Sequence, residues 1–152
     1  MANGETREAR TDAARALEAE FGELISRMHR MLADNAQRVS PGMLPGAYKV
    51  FTTIVRRESV TLSSLAESLM ADKGQISRTV RELEDLGLIT RTPDPADGRS
   101  SLLSPTVKGL ERLADARAPQ ESVLFNTLEE WSVAEIRDLT RLLHALTAGE
   151  TP

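Results

Sequence analysis

A chain of 152 residues, 40% of them apolar, suits one domain whose single core buries roughly 68–70% of the surface the unfolded chain exposes. Aromatics make up only 3%, so the core must be Leu, Val, Ile, Ala and Met, and the lack of cysteine excludes structural disulfides, thiolate zinc sites and thiol-based peroxide sensing. A formal charge of -4 argues against indiscriminate nucleic-acid binding, so any such role needs a local basic patch.

The amino terminus, MANGETREAR, is charged and has no apolar centre. No run approaches the ~18 apolar residues that span a bilayer, so no membrane association and a cytoplasmic location are expected. From about Thr6 to Val39, Leu17, Phe21, Leu24, Ile25, Met28 and Leu32 recur at spacings of three and four, one apolar stripe on a long helix. SPGMLPG, residues 40–46, interrupts it. A second helix follows with Ala47, Val50, Phe51, Ile54 and Val55 inward, ending near Arg57.

Residues 60–89 hold two short helical segments in close succession. Thr61 caps the first, with Leu62, Leu65, Ala66 and Leu69 on its inner face. Asp72 and Gln75 have the spacing of a capping box opening the second, whose inner face is Ile76, Val80, Leu83 and Leu86 and whose stop is Gly87. This is what a helix-turn-helix requires, although an ordinary αα-hairpin has the same pattern. The period then changes: LITRT reads as a strand, DPADGR as a turn with Asp97-Gly98 as its hairpin cue, and SSLLS as the returning strand. A β-hairpin directly after a helix-turn-helix makes a wing. Pro105 and Thr106 open a further helix, with Leu110 and Leu113 inward, to about Arg117, where Pro119 breaks or kinks it. A last helix from about Ser132 to Leu146 carries Val133, Ile136, Leu139, Leu142, Leu143 and Leu146.

The fold expected is therefore mainly α: one domain over 1–152, with a winged helix-turn-helix lobe at 44–104. The long terminal helices, at 6–39 and 106–148, form a dimerisation region, because their stripes lie outside the winged core and pack economically across a two-fold axis.

The charges on the second helix of the pair run against its dipole. Three cations and no acid lie between Lys73 and Arg81, and Glu82, Glu84 and Asp85 follow. A functional demand for positive charge explains this, since the start of a recognition helix meets phosphates and base edges. Turning each residue by about 100° sets Gly74, Arg78 and Arg81 opposite the inner face, flanked by Gln75 and Ser77. Arg pairs with guanine and Gln with adenine; Ser77 and Lys73 suit phosphates, and Gly74 admits close backbone approach. The plainer reading of Arg78 and Arg81 is a solvated helix face. In the hairpin, Asp97 stands two residues before Arg99 and can hold its guanidinium by a paired hydrogen bond, aiming it at a minor groove. The plainer alternative is an exposed ion pair worth about 0–1 kcal/mol on a glycine turn.

LSSLAESLMADKGQISRTVRELEDLGLITRTPDPADGRSSLLSPTVKG, residues 62–109, resembles the centre of a MarR-family transcriptional regulator. The specific marks are SRTVRELEDLGLITR, where a recognition helix runs into the wing, and DPADGRSSLLSPTVKG, an Asp-x-Arg wing followed by a Thr-x-Lys-Gly helix start. The resemblance implies a homodimer with interlocked terminal helices and two lobes on a pseudo-palindrome of double-stranded DNA. Arg99 would be the minor-groove residue, Asp97 its orienting partner, and Ser77, Arg78 and Arg81 would lie on the reading helix. It also implies release of DNA by a small aromatic or amphipathic ligand, for which Tyr48, Arg56 and His29 are candidate pocket residues. Pro105, where the family usually has a β-branched residue or Leu, and the broken 40–46 connection depart from the pattern and bear on local geometry.

Enzymatic activity is not expected, nor is a cofactor or metal: there is no Gly-rich phosphate loop, no His pair at metal spacing and no activated Ser or Cys. His144, among leucines, reads as a partly buried structural residue. The competing class is a winged helix serving as a protein-interaction or ligand-binding module without DNA binding. The basic helix start and the Asp-x-Arg wing, neither needed for folding, favour a sequence-specific DNA-binding regulator; with what the resemblance implies, the expected function is a ligand-responsive repressor.

Overall fold

The computed structural model describes residues 6–151; readings that fall on residues 1–5 and 152 lie outside them. The chain divides into two compact units, up to Ala116 and from Arg117 onward.

The first unit opens with α1 (Arg7–Val39), capped by the Thr6 hydroxyl, which accepts from the Ala9 N–H. Only its last turns enter the core, through Ala36 and Val39. The break, read at 40–46, is confined to residues 40–44 and is ordered by Gln37, whose Oε1 accepts from Gly42 N at 2.9 Å and whose Nε2 donates to Met43 O at 3.4 Å. Gly42 supplies the positive φ of 85° that the reversal needs. Pro45, at the first position of α2 (Pro45–Arg57), starts the next helix, where a missing N–H costs nothing.

β1 (Val60–Thr61) leads into α3 (Leu62–Leu69), and α4 (Lys73–Asp85) follows after a turn. Then come β2 (Ile89–Pro93), β3 (Ser101–Pro105) and α5 (Val107–Glu129), which runs on into the second unit. The strands form an antiparallel sheet in the order β1-β3-β2, with Val60 and Arg91 both opposite Leu103. The sequence predicts only the two wing strands; β1, two residues long, shows no period to read. Phe51, Ile54, Leu65, Val80, Leu83, Leu88 and Leu103 form the solid centre of the core. Tyr48 joins them at 2% exposure.

Several expectations need correction. Pro105 is the last residue of β3, opposite Ile89, a terminal position that tolerates proline; Thr106 alone opens the helix, its Oγ1 accepting from Gly109 N. Pro119 does not end α5, which continues to Glu129. Leu86 and Leu110, read as inward, are 39% and 45% exposed; Leu86 has already left the helix as its C-cap residue. His144 is exposed.

The second unit contains the end of α5 and α6 (Val133–Ala148). Ser132 and Glu135 form a full capping box at its start. That motif was expected at Asp72 and Gln75, where only the Asp72 half forms, its carboxylate accepting from Gln75 N. No described helix is long and apolar enough to cross a membrane.

Candidate nucleic-acid interface

α4 buries Ile76, Val80 and Leu83 and exposes Lys73, Gly74, Gln75, Arg78 and Arg81, with Ser77 half-buried. The structure thus gathers the predicted reading residues on one open face. Lys73 Nζ reaches back to Ser63 Oγ at 2.9 Å and ties α4 to the start of α3. Gly74 has a structural reason beside the functional one: a Cβ there would stand 3.0 Å from Asp72 Oδ2, the capping carboxylate.

The reversed charge of α4 is answered from outside the helix. Glu84 receives a two-pronged bond from Arg91 of β2, Nε to Oε1 at 3.2 Å and a terminal nitrogen to Oε2 at 3.0 Å. These bonds hold the Arg91 guanidinium above its ordinary pKa, the Glu84 hydrogen bond being the main cause. The free carbonyls at the helix end are also taken up: Lys108 Nζ donates to Leu86 O at 2.8 Å and Thr106 Oγ1 to Gly87 O at 2.6 Å. Gly109 lets α5 lie against this turn, since a Cβ there would collide with the Leu88 carbonyl oxygen. The Thr-x-Lys-Gly motif is therefore the device that closes the end of α4 and sets the base of the wing. The sequence alone marked the motif but showed neither this job nor the Arg91–Glu84 pair.

The wing loop, 94–100, is held by two aspartates. Asp94 Oδ1 accepts from Ala96 N at 2.8 Å and Oδ2 from Ser100 Oγ at 3.2 Å, while Asp94 N donates to Ser100 O. Asp97 Oδ1 accepts from the backbone N–H of Arg99 at 3.0 Å, and Ser100 N closes the turn on Asp97 O. This corrects the expected pairing of Asp97 with the Arg99 guanidinium. Asp97 shapes the backbone that carries Arg99 and leaves the exposed guanidinium available. Gly98 is not among the glycines at positive φ, so the turn is an Asx turn inside a longer loop, not the two-residue hairpin of the Asp-Gly cue.

Of the pocket candidates, Tyr48 lies in the core, and Arg56 and His29 are exposed. An open groove of about 1040 Å³ runs instead between the 40–50 stretch and α4, with Leu44, Ala47, Gln75, Thr79 and Leu86 among its walls. Among the described residues no group of His, Asp and Glu could hold a metal ion.

The MarR family model matches residues 45–101, from the start of α2 to the return strand of the wing. Over that stretch, rather more than a third of its length, the chain is similar to the MarR family. Over 73 residues the chain is 34% identical to a putative transcriptional regulatory protein for the hcr operon of Thauera aromatica, covering 48% of this chain and 44% of that one. The chain thus spans less than half the length of that relative. The likeness in fold extends further than the matched stretch: RV1404 of Mycobacterium tuberculosis superposes with a TM-score of 0.72 at 22% identity, covering 95% of this chain and 94% of that one. A cysteine-to-serine mutant of Escherichia coli MarR complexed with operator DNA gives 0.60 at 21% identity, covering 86% and 93%.

Proposed function

We propose that this chain is a MarR-family protein and a sequence-specific DNA-binding transcriptional regulator. It acts as a homodimer on a pseudo-palindromic operator, as a repressor that a small aromatic or amphipathic acid releases. The observation that carries the DNA reading is the open cationic face of α4 beside a wing that presents an exposed Arg99. Neither feature is required for folding, and the cations at the start of α4 oppose its dipole. Lys73 and Ser77 anchor phosphates, Gln75, Arg78 and Arg81 read base edges in the major groove, Gly74 lets the backbone approach, and Arg99, on the turn set by Asp97, enters the minor groove. Half-sites then lie about 10–10.5 bp apart, or a multiple of that.

The dimer reading rests on the apolar stripes that α1 and α6 leave exposed, including Leu24, Met28, Leu139 and Leu142. Repression and ligand release rest on the family resemblance. The same fold in an Escherichia coli protein complexed with operator DNA supports the docking mode.

Fluorescence anisotropy with DNA upstream of the protein's own gene, over a salt series and beside an unrelated duplex, tests the reading. Selective binding that Arg99→Ala weakens roughly tenfold, with discrimination lost at A·T flanks, is expected. Equal affinity for both duplexes at low salt would instead favour an interaction module.

A further inference from the structure

We propose that the Arg91–Glu84 fork is a positioning clamp, fixing the angle of the wing against α4 so that Arg99 and the α4 cations engage one duplex together. The inference rests on the DNA-binding reading above.

The wing is a lever. Its strands run five residues outward from Ile89, a reach of roughly 17 Å at about 3.3 Å per residue, so a small rotation at the base displaces the tip by ångströms. The base is fixed to the helix end by Thr106, Lys108 and Gly109. Beyond the base, apolar packing along β2 stops at once: Ile89 is buried and the next four residues are exposed. Side chains of Ile89 and Arg91 point to the same face. Arg91 therefore continues the core-facing row one step past the core and ends on Glu84, in the last turn of α4. Arg15–Asp12 and Arg141–Asp138 each join residues three apart on one helix, whereas Arg91–Glu84 joins the two elements that must address DNA at once. Two parallel bonds from a planar guanidinium constrain direction as well as distance, which a single contact does not. As a partly exposed pair it adds little stability; its effect is on the angle.

A plain electrostatic account predicts the opposite sign. Without a clamp, Glu84→Gln removes a negative charge near the DNA and frees Arg91 for a phosphate, so binding tightens. With the clamp, Glu84→Gln weakens selective binding about fivefold, at the upper end for an exposed ion pair. Arg91→Lys, which keeps the charge but loses the fork, does the same without changing the salt slope. In an Arg99→Ala background the Glu84→Gln effect shrinks, because the clamp acts through the wing.

The measurement is anisotropy on the full chain with upstream and unrelated duplexes, for wild type, Glu84→Gln, Arg91→Lys and the Glu84→Gln/Arg99→Ala pair, beside their thermal midpoints. The charge-swapped double variant Glu84→Arg/Arg91→Glu guards against a folding defect: the clamp predicts that it binds better than either of its single parents. Wild-type selectivity with unchanged or tighter Glu84→Gln binding, or full additivity with Arg99→Ala, would overturn the clamp alone. Loss of wild-type selectivity would overturn the regulator reading and the clamp with it.

Discussion

Leu103 in β3 has no exposed surface, whereas Leu17 and Leu24 on α1 and Leu142 on α6 keep about half of theirs. Both sets sit in regular, well-formed elements, so secondary structure does not explain the difference. In the winged lobe, three layers meet around β3: the sheet itself, α2, and α3 with α4. Every inward residue there finds a partner within one chain. Along α1 and α6 the apolar residues recur on a stripe that a single chain leaves open, and burying a Leu fully is worth about 1.5–3 kcal/mol. The lobe closes its core within one chain, while the two helices leave theirs open.

The largest effect should come from the self-sufficient half. Leu103→Ala leaves a cavity where both outer strands and α2 converge and should cost about 2–5 kcal/mol in chemical unfolding, at any protein concentration. A loss that varies with concentration would show that the lobe, too, depends on a second copy. Gly109→Ala should cost about 1–3 kcal/mol by forcing α5 off the Leu88 carbonyl, with DNA affinity falling further than stability as the wing base shifts.

The incomplete half is tested by mass action. Leu24→Glu with Leu142→Glu should convert a dimer into monomer in sedimentation equilibrium and remove the concentration dependence of the thermal midpoint. Removing residues 1–35, which leaves the core residues Ala36 and Val39 in place, should give a non-dimeric protein whose lobe still folds. A truncated chain that still sediments as a dimer would sink the dimer reading.

Two smaller changes sharpen the contrast at single turns. Met70, between α3 and α4, is 95% exposed at φ 49°, a left-handed position that favours glycine, so Met70→Gly should stabilise the lobe by about 1 kcal/mol. At the start of α6, donation from Ser132 Oγ and N–H holds the Glu135 carboxyl below its usual range. Its folded pKa is depressed, so the cap's contribution is complete above the ordinary carboxylate pKa and fades as pH falls through the lowered one. Amide exchange in the first turn of α6 should speed up only in that acid window, and Ser132→Ala should shrink the pH step to the part owed to the backbone N–H.

Much of the fold was legible because its signals are local. The helix at 6–39, the break after Val39, the cap at Thr61, the stop at Gly87 and both wing strands follow from apolar period and punctuation. The end read near Arg117 was too early, because a proline inside a helix can bend it without ending it and α5 continues to Glu129. At the interface, the cationic face of α4 was readable from a 100° turn per residue. Asp97 was chosen for the right neighbour and the wrong atom, since two residues of spacing suit a backbone N–H as well as a guanidinium.

By itself, then, the sequence determined most of the helices and both wing strands, the stops at Val39 and Gly87, and which face of α4 carries charge, because each depends on residues a few positions apart. Only the tertiary structure decided that β1 pairs with β3, that Arg91 grips Glu84, and that Thr106, Lys108 and Gly109 close the end of α4. Those contacts join residues that the chain separates by from seven to forty-odd positions, and no local period encodes them. They exist because chain closure around one core brings a carbonyl, a carboxylate or a bare glycine within reach of its partner.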